Sequence, residues 1–206
     1  GIAVLAAALA APFAAQAAQL DYLDAYYVPD STLELTAADA EPLESEEGDG
    51  FGVKLAMSLT DSIFFSGEYQ ATENDFDVDG TKVEGTVDIS RVGVGYNTSI
   101  PLYVLVEYVQ ADYGFSSGDV STEVDEAGFA AHLGLKFDLI EFLTLEARGG
   151  YVDVGDYDGF EYLGGLSLNL DRGFGLYADY HVVDVENSDG LGLKSSDLRT
   201  GLRFNF

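Results

Sequence analysis

The chain is 206 residues long, enough for one sizeable domain, and its 37 acidic against 9 basic residues give a formal net charge of −28. Such a charge repels nucleic acid and bare anionic headgroups, which argues against either as the main partner, and attracts Ca²⁺ and Mg²⁺. With no Cys there is no disulfide framework and no thiolate site, while 13 Tyr, 13 Phe and 24 Gly suit β structure with close backbone approaches.

The chain opens on an uncharged, Ala-rich run from Ile2 to Ala18, with Ala15-Gln16-Ala17 in the small-x-small pattern of a signal-peptidase site. Residues 1–17 are expected to be a cleaved signal peptide, truncated at its start because the initiating Met and basic n-region are missing, and 18–206 a single exported domain. The run is shorter than the ~20 residues a helical span requires, and Pro12 interrupts it. No later stretch approaches ~18 consecutive apolar residues, so a mature chain that enters a membrane does so as a closed barrel.

From residue 20 onward, period-two alternation predicts strands near 20–28, 50–59, 63–72, 86–96, 102–112, 127–137, 142–152, 161–170, 174–185 and 195–206. In the second, Phe51, Val53, Leu55 and Met57 share one face and Gly52, Lys54, Ala56 and Ser58 the other. In the last, Leu198, Thr200, Leu202, Phe204 and Phe206 oppose Asp197, Arg199, Gly201, Arg203 and Asn205. The expected fold is all-β, a closed antiparallel transmembrane up-and-down barrel of ten strands. Eight is the alternative if the first segment or the irregular stretch 86–91 is not a strand. Short turns near Thr60-Asp61, 97–101, 138–141 and 171–172 alternate with longer acidic links; the first of these holds Asp30, Glu34, Asp39, Glu41, Glu44, Glu46, Glu47 and Asp49 without one Lys or Arg.

Alternation alone also describes a soluble barrel with its apolar face inward. Three features turn the apolar face outward. The opposite face carries Lys54, Glu68, Arg91, Glu107, His132, Lys136, Glu146, Arg148, Asp179, His181, Arg199 and Arg203, so most of the scarce bases collect where only an enclosed lumen would pair them with carboxylates. Aromatics gather at strand ends, Tyr69, Tyr108, Tyr151, Tyr162 and Tyr180 on the loop side and Tyr96, Phe137, Phe174, Phe204 and Phe206 on the turn side, as two interfacial girdles would. The chain also ends on an apolar-alternating strand closed by Phe206.

In that ending, and in segments such as Arg91-Val92-Gly93-Val94-Gly95-Tyr96-Asn97, the chain resembles the Gram-negative outer-membrane β-barrel superfamily, small OmpA/OmpX-like or porin-like barrels. The resemblance implies short periplasmic turns, long external loops, a bacterial outer-membrane location, and Leu202, Phe204 and Phe206 as part of the signal read by the insertion machinery. It further implies outer-membrane lipid and lipopolysaccharide as partners. A monomer is expected.

Asp75-Phe76-Asp77-Val78-Asp79-Gly80 matches the opening of a calcium loop, with Asp75, Asp77 and Asp79 as ligands, although Thr86 stands where the bidentate Glu belongs. Calcium is the only cofactor for which there is a motif. Gly114-Phe115-Ser116-Ser117-Gly118 has the G-x-S-x-G spacing, yet no helix follows to make a nucleophile elbow. His132 and His181 face inward with no nucleophile beside either by motif, so a charged lumen network explains them before catalysis does. Inward glycines such as Gly52 and Gly134 would widen a passage that the lumen charges would close by pairing. The expected function is non-enzymatic: a structural or surface-interaction role through long acidic extracellular loops, with a narrow pore for ions or small polar solutes as the alternative and an outer-membrane hydrolase as the second.

Overall fold

The structure is a computed structural model that describes residues 21–206 apart from 38–40, 47, 79–80, 99, 119 and 171–172; the expected signal peptide lies outside the described residues. Among the described residues eleven strands follow one another: β1 (Tyr22–Thr36), β2 (Leu43–Glu44), β3 (Gly48–Ser58), β4 (Ile63–Val78), β5 (Thr81–Asn97), β6 (Leu102–Ser117), β7 (Val120–Ile140), β8 (Leu143–Val154), β9 (Tyr157–Asn169), β10 (Phe174–Asn187) and β11 (Gly192–Asn205). From β3 to β11 each strand pairs antiparallel with its chain neighbour, β3 pairs with β1, and β11 closes onto β1 from Tyr22↔Asn205 to Thr36↔Gly192. β2 only adds Leu43 and Glu44 to the edge of β1. Ten strands therefore close the ring. The stretch 86–91 lies within β5 and pairs without interruption to β4 and β6, which removes the eight-strand alternative.

The one irregularity in the closing seam falls at Pro29. The β1 register shifts between Tyr27 and Asp30 toward β11 and between Val28 and Ser31 toward β3. Proline has no N–H to give to a ladder, so a bulge is where a strand in the ring can hold it.

Faces alternate as the Cβ geometry of a strand demands. Around the half that holds Tyr22 and Asn205, Val94, Val106, Leu133, Leu166, Leu176 and Leu202 stand exposed on the outside. Tyr96, Phe137, Phe174 and Phe204 ring this belt on one side and Tyr108, Tyr151, Tyr162 and Tyr180 on the other, all of them exposed.

Beyond the second ring the polarity of the two faces exchanges. Asp88, Asp112 and Asp125 stand side by side on the outside of β5, β6 and β7, while Val87, Ile89, Ala111, Tyr113 and Val124 alternate with them toward the axis. The long acidic loops expected from the sequence are thus mostly strand. β4 and β5 run up to positions 78 and 81, β6 and β7 to 117 and 120, and β8 and β9 to 154 and 157, leaving the β1–β3 link as the long one. The reason is physical. Backbone pairing continues because every N–H and C=O still needs a partner, while the outward apolar residues of the belt give way to carboxylates and the apolar residues turn inward.

Inward glycines do not widen the bore. The ring of Tyr26 lies where a Cβ on Gly52 would be, and the ring of Tyr103 occupies the same point on Gly134. Each glycine is a seat for the aromatic ring of a neighbouring strand.

Candidate functional site

Along the barrel axis the interior divides into a polar vestibule at the end that holds Asp21 and Phe206, a charged plug at mid-height and an apolar cup at the far end. The vestibule has a volume of about 890 Å³ and is lined by Asp21, Asn97, Tyr103, Lys136, Asp138, Thr144, Asn169 and Arg203 among others. The cup has a volume of about 300 Å³ and a floor that includes Arg91.

The plug begins in the barrel wall. Across the strands β11, β1, β3, β4 and β5, the inward residues Arg203, Asp24, Lys54, Glu68 and Arg91 are successive register partners, so charge alternates in sign around half of the circumference. Lys136 faces Glu146 on β8, and Asp179 faces Arg199 on β11. Opposite charges on adjacent strands attract directly, and in this enclosed layer they are screened little by solvent.

Hydrogen bonds tie these neighbours together and reach on to more distant strands. Arg203 grips Asp24 bidentately, Nε to Oδ1 at 2.8 Å and Nη2 to Oδ2 at 2.7 Å, and its Nη1 donates to Ser167 at 2.9 Å. Its guanidinium also lies 3.9 Å from the centre of the Tyr22 ring, a cation–π contact. Arg199 donates from Nε to Asp179 at 2.6 Å and from Nη1 to Glu68 at 2.8 Å, and Glu68 accepts in addition from the Tyr26 hydroxyl at 2.9 Å. Tyr103 donates to Glu146 at 2.6 Å.

Glu161 is the hub. Arg91 Nη1 donates to its Oε2 at 2.7 Å, Arg148 Nη2 to its Oε1 at 3.0 Å, and His181 Nε2 meets Oε1 at 2.9 Å. His132 lies between two carboxylates, its Nδ1 3.4 Å from Glu107 and its Nε2 3.4 Å from Glu161. Above this layer Asp197 accepts from Gln70 at 2.8 Å and from Ser31 at 2.8 Å. Glu161 is fully buried, and His132 and His181 are 2 % and 4 % exposed.

Among solved structures, the outer-membrane protease OmpT from Escherichia coli is similar over 95 % of this chain and 99 % of that one, at 10 % identity and a TM-score of 0.56. The transport unit of the autotransporter AIDA-I from Escherichia coli is similar over 98 % of this chain and 96 % of that one, at 9 % identity and a TM-score of 0.52. The fold is that of an outer-membrane β-barrel. Ail of Yersinia pestis also aligns, over 90 % of this chain and 100 % of that one, at 14 % identity and a TM-score of 0.45. No protein-family model matches the sequence, and no curated protein does. At such identities the likeness concerns the fold and leaves activity open.

Within this outer-membrane barrel fold all twelve charged or imidazole side chains read from the sequence as lumenal point inward. Lys54, Glu68, Arg91, Glu107, His132, Arg148, Asp179, His181, Arg199 and Arg203 are buried, and Lys136 and Glu146 are half-buried on the vestibule side. Asp24 and Glu161, not singled out by sequence, join them, as does Asp197, which alternation set on the face of Arg199 and Arg203. Asp75 and Asp77 lie on the outward face of β4, Asp75 with Lys82 Nζ at 3.8 Å; Asp79 lies outside the described residues. Among the described residues no group of three or more His, Asp or Glu side chains converges on a metal position. Ser116 is in β6, and Gly118, with φ of 60°, turns the chain back into β7, so G-x-S-x-G here is strand, turn and strand. Leu202 and Phe204 face outward at the end of β11, with Phe204 packed between Phe174 and Phe206. The Phe206 N–H donates to the Asp21 carbonyl at 3.2 Å, tying the end of β11 to the residue before β1.

Proposed function

We propose that the protein is a non-enzymatic bacterial outer-membrane barrel with a sealed lumen, Phe206 at the periplasmic rim and its acidic far half outside the cell. The apolar belt between two aromatic rings supports the lipid placement, since aromatic side chains favour the two membrane–water boundaries. Outer-membrane lipid and lipopolysaccharide are its partners in this reading, and the divalent cations bound to lipopolysaccharide are natural counter-ions for the carboxylates of the far half. Leu202, Phe204 and Phe206 are proposed as the element recognised during insertion. Ring closure leaves no open sheet edge inside the belt, which favours a monomer.

The plug carries the proposal. Glu161, Arg91, Arg148, His132 and His181 fill mid-height with mutually paired groups, so neither a continuous water path nor a solvent-facing acid or base is left at that level. Single-channel recording on pure protein in planar bilayers is the test. The expected trace is flat. Reproducible conductance steps would overturn the sealed lumen in favour of a conduit, and turnover of a lipid or peptide substrate by the same preparation would overturn the non-enzymatic reading.

A further inference from the structure

The far-end cup is built unlike the rest of the interior. Its wall is aliphatic and aromatic: Leu33, Phe76 and Val87 form one buried cluster and Val109, Ala111, Ala130, Val152 and Val154 another, with Ile89 and Tyr113 touching both. An apolar inner wall is what a barrel standing in water requires, and by itself would call for no ligand. A packed core, however, leaves few voids larger than a water molecule, and unfilled apolar space is destabilising. Here about 300 Å³ stays open, roughly twice the size of an apolar cavity that accepts benzene.

The space is reachable. Val124 points toward the axis yet is 42 % exposed, and Tyr113, Phe115, Tyr157 and Leu193 are only half-buried, so the cup opens to the far end. Its floor is the plug, where Arg91 is already paired with Glu161, so a ligand does not continue into the vestibule. A concave, mostly apolar pocket of this size with few polar groups is the usual form of a small-molecule site.

Charge narrows the ligand. Glu126 stands at the mouth beside Gly155, and Asp88, Asp112, Asp125, Asp158 and Asp184 surround the wall from outside. Carboxylates and phosphates are repelled from such a rim, whereas uncharged or cationic molecules are not.

We propose that the cup binds a small apolar molecule, uncharged or carrying a cationic head, of about ten carbon atoms on the scale of the benzene-sized cavity. The protein in lipid nanodiscs is titrated with the uncharged fluorophore N-phenyl-1-naphthylamine, with empty nanodiscs as the blank; there is no Trp to interfere. Saturable binding at one site is expected, displaced by decyltrimethylammonium at concentrations at least tenfold lower than by decanoate. Ala111→Phe and Ser195→Phe each fill the cup and should weaken the probe at least tenfold, while Tyr108→Ala on the lipid face should leave it unchanged. Two filling variants are used so that a folding failure in one leaves the other, and heat-modifiable gel mobility reports which have folded. Binding that does not saturate beyond the blank, or that survives in a folded filling variant, overturns the site. Decanoate displacing as well as the cation overturns the charge preference and with it the proposed ligand class.

Discussion

Glu161 accepts from Arg91 and Arg148 and meets His181, all without solvent, whereas the other carboxylate that the two guanidinium groups share, Glu107, lies 3.8 Å from each. Removing one member of a buried ionic network strands the rest, which is worth roughly 3–5 kcal/mol. Glu161→Ala is expected to destabilise the folded barrel by about that much in urea unfolding from lipid vesicles. Tyr26→Phe removes a single hydroxyl donor to Glu68, which keeps Arg199, and a smaller loss of about 1.5–3 kcal/mol is expected. Equal losses would mean that Glu161 is one pair among many and no hub. At this scale parity did most of the work from sequence: once Lys54 or Arg199 is set in an alternating strand, its face follows. Glu161 escaped because the expected strand began at that residue, with Gly159-Phe160 read as loop. Phe160 and Tyr162 as an outward pair were the available signal. Which carboxylate meets which base depends on register and on reach across the lumen, and alternation fixes neither.

Whole strands were legible at their centres and misjudged at one end. All ten strand positions in the ring were foreseen, but β1, β4, β5, β6 and β7 run well past the expected boundaries toward the far end. The alternation persists there with its polarity exchanged, and the apolar outward face that marks a strand in the sequence gives way to carboxylates such as Asp88, Asp112 and Asp125. The outward side of β7 shows both regimes, with Leu133 in the belt and Asp125 beyond it. Leu133→Arg is expected to destabilise by roughly 2–4 kcal/mol, the penalty for a cation near the bilayer midplane, whereas Asp125→Arg should change stability by about 0–1 kcal/mol. Unfolding titrations in lipid vesicles measure both. Similar values for the two would mean that the belt is placed wrongly along the strand, and with it the exchange of faces.

For the whole molecule the consequence of ten strands is a bore slightly wider than the eight-strand case that side chains just fill. This chain spends the extra width in two ways, closing it by paired charges at mid-height and leaving it open above and below as the cup and the vestibule. The seal then depends on a few side chains and not on the backbone. Gly52 and Gly134 are covered by rings from neighbouring strands, and no strand or loop crosses the lumen among the described residues. Clearing the centre with Arg91→Ala, Arg148→Ala and Glu161→Ala together removes two positive charges and one negative, which avoids leaving the hub carboxylate alone against its former partners. If the triple variant folds, vestibule and cup should join into one water-filled path. Planar-bilayer recording should then show discrete steps that the parent protein lacks, with cations favoured over anions, because Glu107 remains in the bore and Glu126 at the mouth. A folded triple variant that stays silent would place the seal elsewhere, in the aromatic layer of Tyr22, Tyr26 and Tyr177 that packs around Arg199 and Arg203.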